Sequence, residues 1–462
     1  MINIKTDSRK VTDGDTFIAI KNINRDGHDY IVDAIKNGAK KIICEHGNYD
    51  VETIIVPDTR KYLEDYLYKE YYPNISKMKL IGITGTNGKT TTCFLIYQIL
   101  NDLGIKCAYI GTIGFYYGNI KKELNNTTPD IDLLYDMLEE SYENDCKYVV
   151  MEVSSHALKL DRIHGLKYDA VAFTNLTQDH LDFHKTFDDY RISKEKLFNL
   201  TRNEKIAVIN GDDPSYQNFV KEDNHNVIIS SKKGDVIISE EEFTNLGTDF
   251  SFSYQNKLYR THINMVGRYN IYNYLTALMI LTNLGVDINK VLDLNNLKAP
   301  LGRMEMIKYG TNSIFVDYAH TPDAVENVLK TCLEFKKGKI ITIIGCGGDR
   351  DPIKRPIMAH TAESLSDYVI YTNDNPRTED EKKIMSDILK GCQNNNHEVI
   401  YNRKEAIIKG INLLKEKDIL LILGKGHEDY QIIGTIKHHF SDKEIVLDYI
   451  KERMKVYEWL YE

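Results

Sequence analysis

The sequence lacks most of the features that would set the chain apart from an ordinary globular protein. Its seven cysteines are scattered and form no C-x-x-C pair, which argues against a zinc site or a disulfide framework and fits a reducing cytoplasm. No apolar run reaches the ~18 residues that a membrane span needs. The first ten residues hold no apolar core of a signal peptide. We therefore expect a cytoplasmic protein with no membrane segment.

An excess of positive charge is also missing. The chain has 59 lysines and arginines against 68 acidic residues, for a formal net charge of -9. Because nucleic-acid binders normally show a basic face, we expect no nucleic-acid partner. An anionic small substrate is not excluded, since a local basic pocket suffices. The 462 residues favour about three domains.

Short apolar runs bounded by turn residues divide the chain into three blocks. The first block ends near Ser76, after a polar, Tyr-rich stretch with a boundary at Pro73-Asn74. The second opens with a strand, a Gly-rich turn and a helix that Gly104 ends, and the third begins near Gly302. The predicted strands are 15–20, 41–44 and 53–56, then 79–84, 107–110, 148–151, 170–173 and 206–209, and finally 314–316, 340–344, 368–371 and 419–423.

The strands of the second and third blocks are continuous apolar runs, which is typical of parallel strands covered on both faces. In the third block they alternate with helical stretches, as in a βαβ series. We therefore predict an α/β protein of three domains. These are a small N-terminal α/β domain (1–76), a central phosphate-loop domain with a parallel sheet (77–301) and a C-terminal Rossmann-like α/β domain (302–462).

A glycine-rich turn, Gly85-Thr86-Asn87-Gly88-Lys89-Thr90, follows the first strand of the second block. It departs from the general G-x-x-x-x-G-K-[ST] pattern because Ile83 stands at the first glycine position. The features that bind phosphate are retained, because Lys and Thr open a helix whose N-terminus favours anions. The alternative is a tight strand–helix turn that merely contains glycines. The context favours the first interpretation, so we predict that this loop holds the phosphates of ATP.

Polar residues follow two other strands of the second block. Glu152 follows one, and Asp179 and His180 follow another. Ligands bind at the carboxyl ends of strands in open parallel sheets, and Mg²⁺ prefers oxygen ligands. Glu152 could therefore ligate Mg²⁺, although a Glu after a strand is usually solvated. A nucleophilic Ser–His pair in 153–156 is conceivable, but phosphoryl chemistry needs no serine nucleophile.

Three polar loops follow three strands of the third block. The loop 345–350 ends in Arg350, the loop 373–377 ends in Arg377, and the loop 424–428 ends in Glu428. Guanidinium groups bind carboxylates bidentately, and a carboxylate suits an ammonium group. Each loop alone is most simply a polar surface loop, but three such loops after parallel strands favour a binding cleft.

Together these motifs resemble the Mur ligases of peptidoglycan synthesis, over nearly the whole chain. The residues that carry the resemblance are 7–9, 14–15, 17, 85–91, 126–129, 151–156, 179–182, 190–194, 270, 273, 302–305, 317–323, 347–350, 374–377 and 424–428. The opening Asp-Ser-Arg and the last three motifs separate the chain from sister ligases and from folylpolyglutamate synthases. The family usually has a helix and a strand ahead of Asp7, where this sequence has six residues.

The resemblance implies a reaction and its partners. ATP phosphorylates the D-Glu side-chain carboxylate of UDP-MurNAc-L-Ala-D-Glu, because a carboxylate oxygen is a poor leaving group. The amine of an amino acid attacks the acyl phosphate, and the tetrahedral intermediate collapses to an amide with release of ADP and phosphate. The resemblance also implies two Mg²⁺ ions. We expect the enzyme to be a monomer.

The resemblance further implies roles for individual residues. The ATP-binding residues are Gly85, Thr86, Asn87, Gly88, Lys89, Thr90, Thr91, Asn270, Arg303 and Asp317. The UDP-substrate residues are Ser8, Asn126, Thr127, Thr128, Ser154 and Arg162. The amino-acid residues are Arg350, Asp374, Asn375, Pro376, Arg377, Gly424 and Glu428. The catalytic residues are Lys89, Glu152, His180 and Lys194, and the metal residues are Thr90, Glu152, His180 and Lys194.

Lys194 is the lysine that family members carry as an N-carboxylated group. Carboxylation turns a cation that would repel Mg²⁺ into an oxygen ligand. By sequence alone, a solvated lysine on a helix over 190–200 is the simpler interpretation.

The amino acid added is the sharpest expectation. Family members with Asp-Asn-Pro-Arg resemble those that use meso-diaminopimelate, whereas lysine users usually lack that arginine. Diaminopimelate has a second carboxylate that Arg377 and Arg350 can bind, and lysine would leave one arginine unmatched at a cost. L-Lysine or another diamino acid is the alternative.

Two other classes of function stay open. One is a non-catalytic nucleotide-binding protein with the same fold. The presence of Lys89, Glu152, His180 and Lys194 argues against it, because a degraded site would have lost some of them. The other is a related ligase for a different acceptor, such as a folate, against which the Asp-Ser-Arg and Asp-Asn-Pro-Arg motifs stand.

Overall fold

The computed structural model describes residues 4–21, 26–244 and 247–461. The chain forms two compact units, Met1–Val236 with Leu275–Leu294, and Ile237–Tyr274 with Asn295–Glu462. Both units combine helices with sheets that are largely parallel, so the predicted α/β class is confirmed. The three-domain boundaries at 76/77 and 301/302 stay a prediction. Within the described ranges, no helix is both long and apolar enough to cross a membrane.

The first unit holds twelve described strands and the helices that connect them. The strands are β1 (Ile4–Lys5), β2 (Thr16–Ile18), β3 (Lys41–Cys44), β4 (Glu52–Ile55), β5 (Lys79–Thr84), β6 (Cys107–Gly111), β7 (Gly114–Tyr117), β8 (Ile120–Lys122), β9 (Tyr148–Glu152), β10 (Tyr168–Phe173), β11 (Thr201–Asn210) and β12 (His225–Ser230). The helices are α1 (Ile31–Lys36), α2 (Thr59–Ile75), α3 (Lys89–Asp102), α4 (Ile131–Glu143), α5 (Ser155–Lys159), α6 (Leu181–His184) and α7 (Phe187–Glu195).

Two sheets organise this unit. The N-terminal sheet has the parallel order β1-β2-β3-β4. The larger sheet runs β12-β11-β10-β5-β9-β6-β7-β8, and its strands from β12 to β6 are parallel. Strand β5 lies between β10 and β9. The carboxyl ends of these three strands therefore meet at one edge of the sheet, where ligands bind in such folds.

The polar, Tyr-rich stretch that leads out of the first block is a helix, α2. Asp58 caps it by accepting a hydrogen bond from the backbone N–H of Lys61. Leu63, Leu67 and Ile75 are buried, and the helix packs against α4. Burial of this face, rather than the polar composition, decides the local structure.

The second unit has its own strands and helices. The strands are β13 (Val236–Thr244), β14 (Gly247–Tyr254), β15 (Lys257–Ile263), β16 (Glu305–Tyr309), β17 (Asn312–Asp317), β18 (Ile340–Ile344), β19 (Tyr368–Tyr371), β20 (His397–Val399), β21 (Ile419–Leu423), β22 (Tyr430–Ile433) and β23 (Ile436–His439). The helices are α10 (Pro322–Phe335), α11 (Lys354–Leu365), α12 (Glu381–Leu389), α13 (Arg403–Leu413) and α14 (Asp442–Tyr461). Helix α8 (Arg268–Asn283) begins in this unit and ends in the first, where α9 (Ile288–Leu292) follows.

The main sheet of the second unit has the order β16-β17-β21-β18-β19-β20, and all its pairs except β16 with β17 are parallel. Apolar residues cover both of its faces, as predicted for continuous apolar strands. Strands β18, β19 and β21 match the predicted ranges. The loops that follow them therefore leave the sheet at the same edge. The hairpin of β14 and β15 is antiparallel and was not predicted.

A buried ion pair stabilises the start of the larger sheet of the first unit. The carboxylate of Asp169 accepts hydrogen bonds from the backbone N–H of Leu80 at 2.9 Å and from Arg202 Nη2 at 2.9 Å. Arg202 also donates to the Met78 carbonyl and the Tyr72 hydroxyl. The pair thus connects β10 and β11 with the segment between α2 and β5. Removing one partner would leave a largely buried charge uncompensated.

We expect Asp169→Ala to lower the free energy of unfolding by about 3–5 kcal/mol, measured by urea denaturation. The control is Asp13→Ala, which breaks an exposed pair with Lys40 and should change the free energy by less than about 1 kcal/mol. Equal losses in the two variants would contradict the role given to the buried pair.

Candidate active site

The predicted phosphate loop joins β5 to α3, and two of its glycines are required by its geometry. Gly88 caps α3 with a φ of 85°, a left-handed conformation that glycine adopts without strain. Gly85 has a φ of 149°, and a Cβ there would clash with the Thr174 hydroxyl. The loop therefore runs directly against the end of β10. Thr90 and Thr91 follow in the first turn of α3, both buried.

Asn175, just beyond β10, holds this loop in place. Its carbonyl accepts from the Thr86 N–H at 2.8 Å, and its Oδ1 accepts from the Asn87 N–H at 2.9 Å. Its Nδ2 donates to the Asn87 carbonyl at 3.1 Å, and Thr174 Oγ1 donates to the same carbonyl at 2.6 Å. The loop is thus preorganised by contacts from a neighbouring strand.

Two lysine amines meet at the Gly85 carbonyl. Lys89 Nζ donates to it at 2.8 Å and also to the Thr86 carbonyl at 2.8 Å. Lys194 Nζ donates to it at 2.7 Å and is only 1% exposed. Burial and then the Lys89 charge hold the pKa of Lys194 well below its ordinary value. The simpler interpretation of Lys194 as a solvated lysine is wrong.

Tyr190 connects the loop with the other predicted catalytic residues of this unit. Its hydroxyl lies 3.1 Å from Thr86 Oγ1, and its ring centroid lies 4.5 Å from Lys194 Nζ. The ring of His180 contacts it edge-on at 6.1 Å. The His180 side chain is 47% exposed, and Asp179 Oδ2 lies 3.3 Å from its Nε2. His180 thus lies at the solvent side of the group.

Glu152 is the last residue of β9 and is fully buried. Its Oε1 accepts from the Tyr109 hydroxyl at 2.5 Å and from the Thr112 N–H at 2.9 Å. Its Oε2 accepts from the Thr90 and Thr112 hydroxyls, both at 3.0 Å. These four donors offset the cost of burying a carboxylate. The predicted pair of Thr90 and Glu152 is therefore in direct contact.

Four of the six predicted UDP-substrate residues join the same network. Thr127 Oγ1 lies 3.1 Å from Thr112 Oγ1. Thr128 Oγ1 donates to the Glu152 carbonyl and accepts from the Ser154 N–H. Arg162 Nη1 donates to the Thr128 carbonyl at 3.1 Å.

The other two predicted UDP-substrate residues lie elsewhere. Ser8 lies in the N-terminal part of the unit, where Asn37 Nδ2 donates to its carbonyl, and Asn126 is exposed. Within the described part of the chain, no hydrogen bond joins either of them to the network around Glu152.

Ser155 does not form a pair with His156. Its hydroxyl lies 2.9 Å from His184 Nε2, and both side chains are buried. Desolvation lowers the pKa of His184. Ser155 is therefore not an exposed nucleophile.

In the second unit, the three remaining predicted ATP residues lie on separate elements. Asn270 is buried in α8, where it donates to the Val266 carbonyl at 2.8 Å. Asp317, at the end of β17, accepts from the backbone N–H groups of Met304 and Ala319. The pKa of Asp317 is raised because burial outweighs the opposing effect of the neighbouring Arg303. Asp317 and Arg303 are thus close neighbours.

The loops after β18 and β19 bring the two predicted arginines together. A Cβ on Gly347 would lie 2.9 Å from Arg377 Nη1 and 3.8 Å from Arg350 Cγ, so both side chains flank this glycine. Arg377 is partly buried and donates to the Gly348 carbonyl at 2.8 Å, whereas Arg350 is exposed. Two guanidinium groups at one strand edge can bind a carboxylate.

The loop after β21 contacts the loop after β19. A Cβ on Gly424 would lie 2.6 Å from Asp374 Oδ2, and Asn375 Nδ2 donates to Glu428 Oε2 at 2.9 Å. A Cβ on Gly348 would clash with the Pro376 carbonyl. All seven residues predicted for the amino acid therefore lie in three loops that contact one another.

The fold and the site define a phosphate-loop protein that binds a nucleotide, with a separate cluster of charged loops on a second parallel sheet. Three family models match the chain. The Mur ligase family catalytic domain matches residues 2–80, the Mur ligase middle domain matches 83–281, and the Mur ligase glutamate ligase domain matches 302–426.

Individual proteins agree with this match. A UDP-N-acetylmuramoyl-L-alanyl-D-glutamate--2,6-diaminopimelate ligase 1 of Clostridium acetobutylicum is 42% identical over 97% of this chain and 95% of its own. A solved structure of a ligase with the same name, apart from the number, has a TM-score of 0.71 and 30% identity, covering 98% of this chain and 95% of its own. A Thermotoga maritima MurF ligase in complex with ADP, at 19% identity, shares the fold with a TM-score of 0.67 over 98% of each chain. The chain belongs to the Mur ligase family.

Five residues of the site were not predicted from the sequence. They are Tyr109, Thr112, Asn175, Tyr190 and Lys425. Tyr190 and Lys425 lie inside motifs that carry the family resemblance, so a signal for them was present. Tyr109 lies within β6, and Thr112 and Asn175 lie just beyond the ends of β6 and β10. Their position in the sheet is the signal that could have found them.

We expect Asn175→Ala to raise KM for ATP by about tenfold, because each lost hydrogen bond contributes about 1 kcal/mol. Steady-state kinetics with varied ATP would measure this. Asn218→Ala is the control, since its side chain is exposed and bonds only to the nearby Ser215 carbonyl. An unchanged KM for ATP in Asn175→Ala would show that the hydrogen bonds of the Asn175 side chain do not shape the phosphate loop.

Proposed function

We propose that this Mur ligase uses ATP to join meso-2,6-diaminopimelate to the D-Glu side-chain carboxylate of UDP-MurNAc-L-Ala-D-Glu. The observation that carries the proposal is the presence of charges of both signs in the three loops that follow β18, β19 and β21, which we call the acceptor loops. Arg377 and Arg350 flank Gly347, and Glu428 lies in the adjoining loop, bonded to Asn375. The names of the relatives at 42% and 30% identity support the same activity.

The charges of the acceptor loops suit the far end of diaminopimelate, which carries a carboxylate and an ammonium group. Arg377 is partly buried with one nitrogen bonded to the Gly348 carbonyl, which fixes its orientation. A substrate carboxylate can take its remaining donors, and the Glu428 carboxylate can take the ammonium. Lysine offers no carboxylate at that end, so a desolvated arginine would lose its partner.

The phosphate loop supplies the first chemical step. Lys89 and the N-terminus of α3 would hold the ATP phosphates. The family resemblance implies contacts of Asn270 with adenine, of Arg303 with phosphate and of Asp317 with ribose. The γ-phosphoryl group passes to the D-Glu carboxylate, and ADP leaves. The amine of the amino acid then attacks the acyl carbon, and phosphate leaves as the amide forms and the amine loses its proton.

The oxygen donors of the first unit fit the Mg²⁺ ions that the family resemblance implies. Thr90 Oγ1 and Glu152 Oε2 lie 3.0 Å apart beside the phosphate loop, and Mg²⁺ prefers such hard oxygen ligands. We place the first ion there and the second near His180 and Lys194. When bound, the ions would neutralise the charge of the phosphates and of the acylating carboxylate.

We further propose that Lys194 is N-carboxylated. Its amine is buried, and it shares the Gly85 carbonyl with a second cation, Lys89. A charged amine is costly in such a place, and only an uncharged amine adds to CO₂. The reaction forms an N–C bond and releases the amine proton. The resulting carbamate pairs with Lys89 and offers oxygen atoms to a cation.

The UDP-substrate would be held by Ser8, Asn126, Thr127, Thr128, Ser154 and Arg162. The contacts of Thr127 and Thr128 with the Glu152 network support this for the residues closest to the reaction.

The three domains at 1–76, 77–301 and 302–462 are supported by the family models that end at 80, 281 and 426. A monomer in the cytoplasm stays a prediction.

We expect phosphate release to require ATP, UDP-MurNAc-L-Ala-D-Glu and meso-diaminopimelate together. In a panel of amino acids with bicarbonate present, kcat/KM for meso-diaminopimelate should exceed that for L-lysine by at least about 100-fold, because the lysine complex leaves an arginine unpaired. A preference for lysine would overturn the assignment of the acceptor. No release with any amino acid would favour a non-catalytic binding protein.

We expect Lys194→Ala to lose activity and to recover part of it when a short-chain carboxylic acid is added, because the acid can replace the carbamate oxygen atoms. Phosphate release would measure both. Lys185→Ala, at an exposed position near the same helix, is the control. Full activity of Lys194→Ala would rule out the carbamate role.

A further inference from the structure

We infer that Lys425 is a positioning residue that sets the specificity of the acceptor site. It holds Asn375 and Glu428 in place and offsets the charge of Glu428, so that the site favours an acceptor whose far end is zwitterionic over one that ends in a lone ammonium. The inference deepens the proposed function and rests on it.

Lys425 forms a closed set of hydrogen bonds with two residues of the predicted acceptor site. Its side chain is fully buried, and Nζ lies 3.0 Å from Glu428 Oε2 and 3.2 Å from Asn375 Oδ1. Asn375 Nδ2 donates to the same Glu428 oxygen at 2.9 Å. Because each member bonds to the other two, displacing one displaces all three.

The backbone of this loop aims the Lys425 side chain inward. Gly424 and Gly426 flank it with φ angles of 114° and 54°, which other residues rarely adopt. A Cβ on Gly426 would lie 2.6 Å from Tyr318 Cβ, so the chain passes close to Tyr318. The Lys425 amine lies 5.5 Å from the centroid of the Tyr430 ring.

Asn375 extends the influence of Lys425 to the other acceptor loops. Its Oδ1 accepts from the Ile432 N–H at 2.9 Å, and its carbonyl accepts from the Gly348 N–H at 2.9 Å. Gly348 in turn accepts the hydrogen bond from Arg377. Lys425 is thus connected through Asn375 to the arginine proposed to bind the substrate carboxylate.

The charge of Lys425 decides how Glu428 meets a substrate. Two hydrogen bonds direct Oε2 of Glu428 into the protein, so the carboxylate can meet a substrate ammonium through Oε1. A lone ammonium would enter close to the like charge of Lys425, and like charges at close range are unfavourable. A zwitterionic end also brings a carboxylate to Arg377, and this carboxylate compensates for the repulsion between the substrate ammonium and Lys425. The two acceptors therefore differ in their sensitivity to Lys425.

The test is Lys425→Met, which keeps the apolar stem and removes the charge and the donors. We expect KM for meso-diaminopimelate to rise about tenfold, as for the loss of one to two hydrogen bonds. The ratio of kcat/KM for meso-diaminopimelate over L-lysine should fall at least about fivefold, as like-charge repulsion of lysine is removed. KM values for ATP and the UDP-substrate should change less than about twofold, since Lys425 contacts neither predicted site.

Two further variants separate charge from packing. Lys425→Arg keeps the charge. It should retain the ratio of kcat/KM for meso-diaminopimelate over L-lysine, which we call the acceptor ratio, even where KM for meso-diaminopimelate rises. Lys437→Met is the matched control, because Lys437 Nζ lies 4.0 Å from the same Tyr430 ring but is exposed, and all constants should stay unchanged. Should Lys425→Met fail to fold by thermal denaturation, Lys425→Gln, which keeps a donor and lacks the charge, should lower the same ratio.

An unchanged acceptor ratio in the folded Met or Gln variant would overturn the inference. An equal rise in KM for all three substrates would also overturn it, since it would indicate a general loss of structure. Failure of the proposed function is distinguishable, because the wild-type enzyme would then prefer lysine or show no ligase activity. A wild-type preference for meso-diaminopimelate whose size is unchanged in Lys425→Met refutes this inference alone.

Discussion

The buried carboxylate of Glu152 is the constraint on which the first unit depends. A carboxylate without access to water is stable only if strong donors surround it, and the four donors here come from Tyr109, Thr112 and Thr90. Thr90 belongs to the phosphate loop, and Thr112 contacts Thr127 of the predicted UDP-substrate group. Satisfying one buried charge therefore places residues predicted to bind the ATP phosphates and residues predicted to bind the UDP-substrate in one network.

The second unit reaches a similar result with close backbone contacts. Its three acceptor loops leave the carboxyl ends of adjacent parallel strands, and glycines let them approach one another. Gly347 leaves room for Arg377, and Gly424 leaves room for Asp374. Because a Cβ at either position would push these side chains aside, their present arrangement depends on the two glycines. Such preorganisation lowers the entropic cost of binding a polar substrate.

The sequence was most informative where a local pattern decides the structure. Strands β5, β18, β19 and β21 were predicted in full, because continuous apolar runs between turn residues have few other interpretations. The polar groups at their ends could be predicted as sites for the same reason. Helix α2 was less evident, since its polar, Tyr-rich composition obscures the spacing of Leu63, Leu67 and Ile75.

Several partners that are distant in the chain could not be predicted, although the contact of Thr90 with Glu152 was. Tyr109 reaches Glu152 across 43 positions, and Lys425 reaches Asn375 across 50. Nothing local to either residue indicates such a contact, because it depends on which strands are neighbours in the sheet. The burial of Lys194 depends likewise on Gly85, 109 positions away, and for that reason a solvated lysine was the simpler interpretation.

Two buried lysines, Lys194 in the first unit and Lys425 in the second, differ in the groups that surround their amines. These surroundings, and not burial alone, decide which role each amine can take. Lys425 has a carboxylate 3.0 Å away, so its charge is compensated and it can hold other groups in position. Lys194 has a backbone carbonyl and a second lysine beside it, so its positive charge is poorly compensated. A buried amine of the first kind, hydrogen-bonded to a carboxylate, can hold that carboxylate in position. A buried amine of the second kind gives up its proton readily, which makes it available for addition to CO₂. In our proposals, the same residue type thus serves specificity in one unit and, through carboxylation, the metal site in the other.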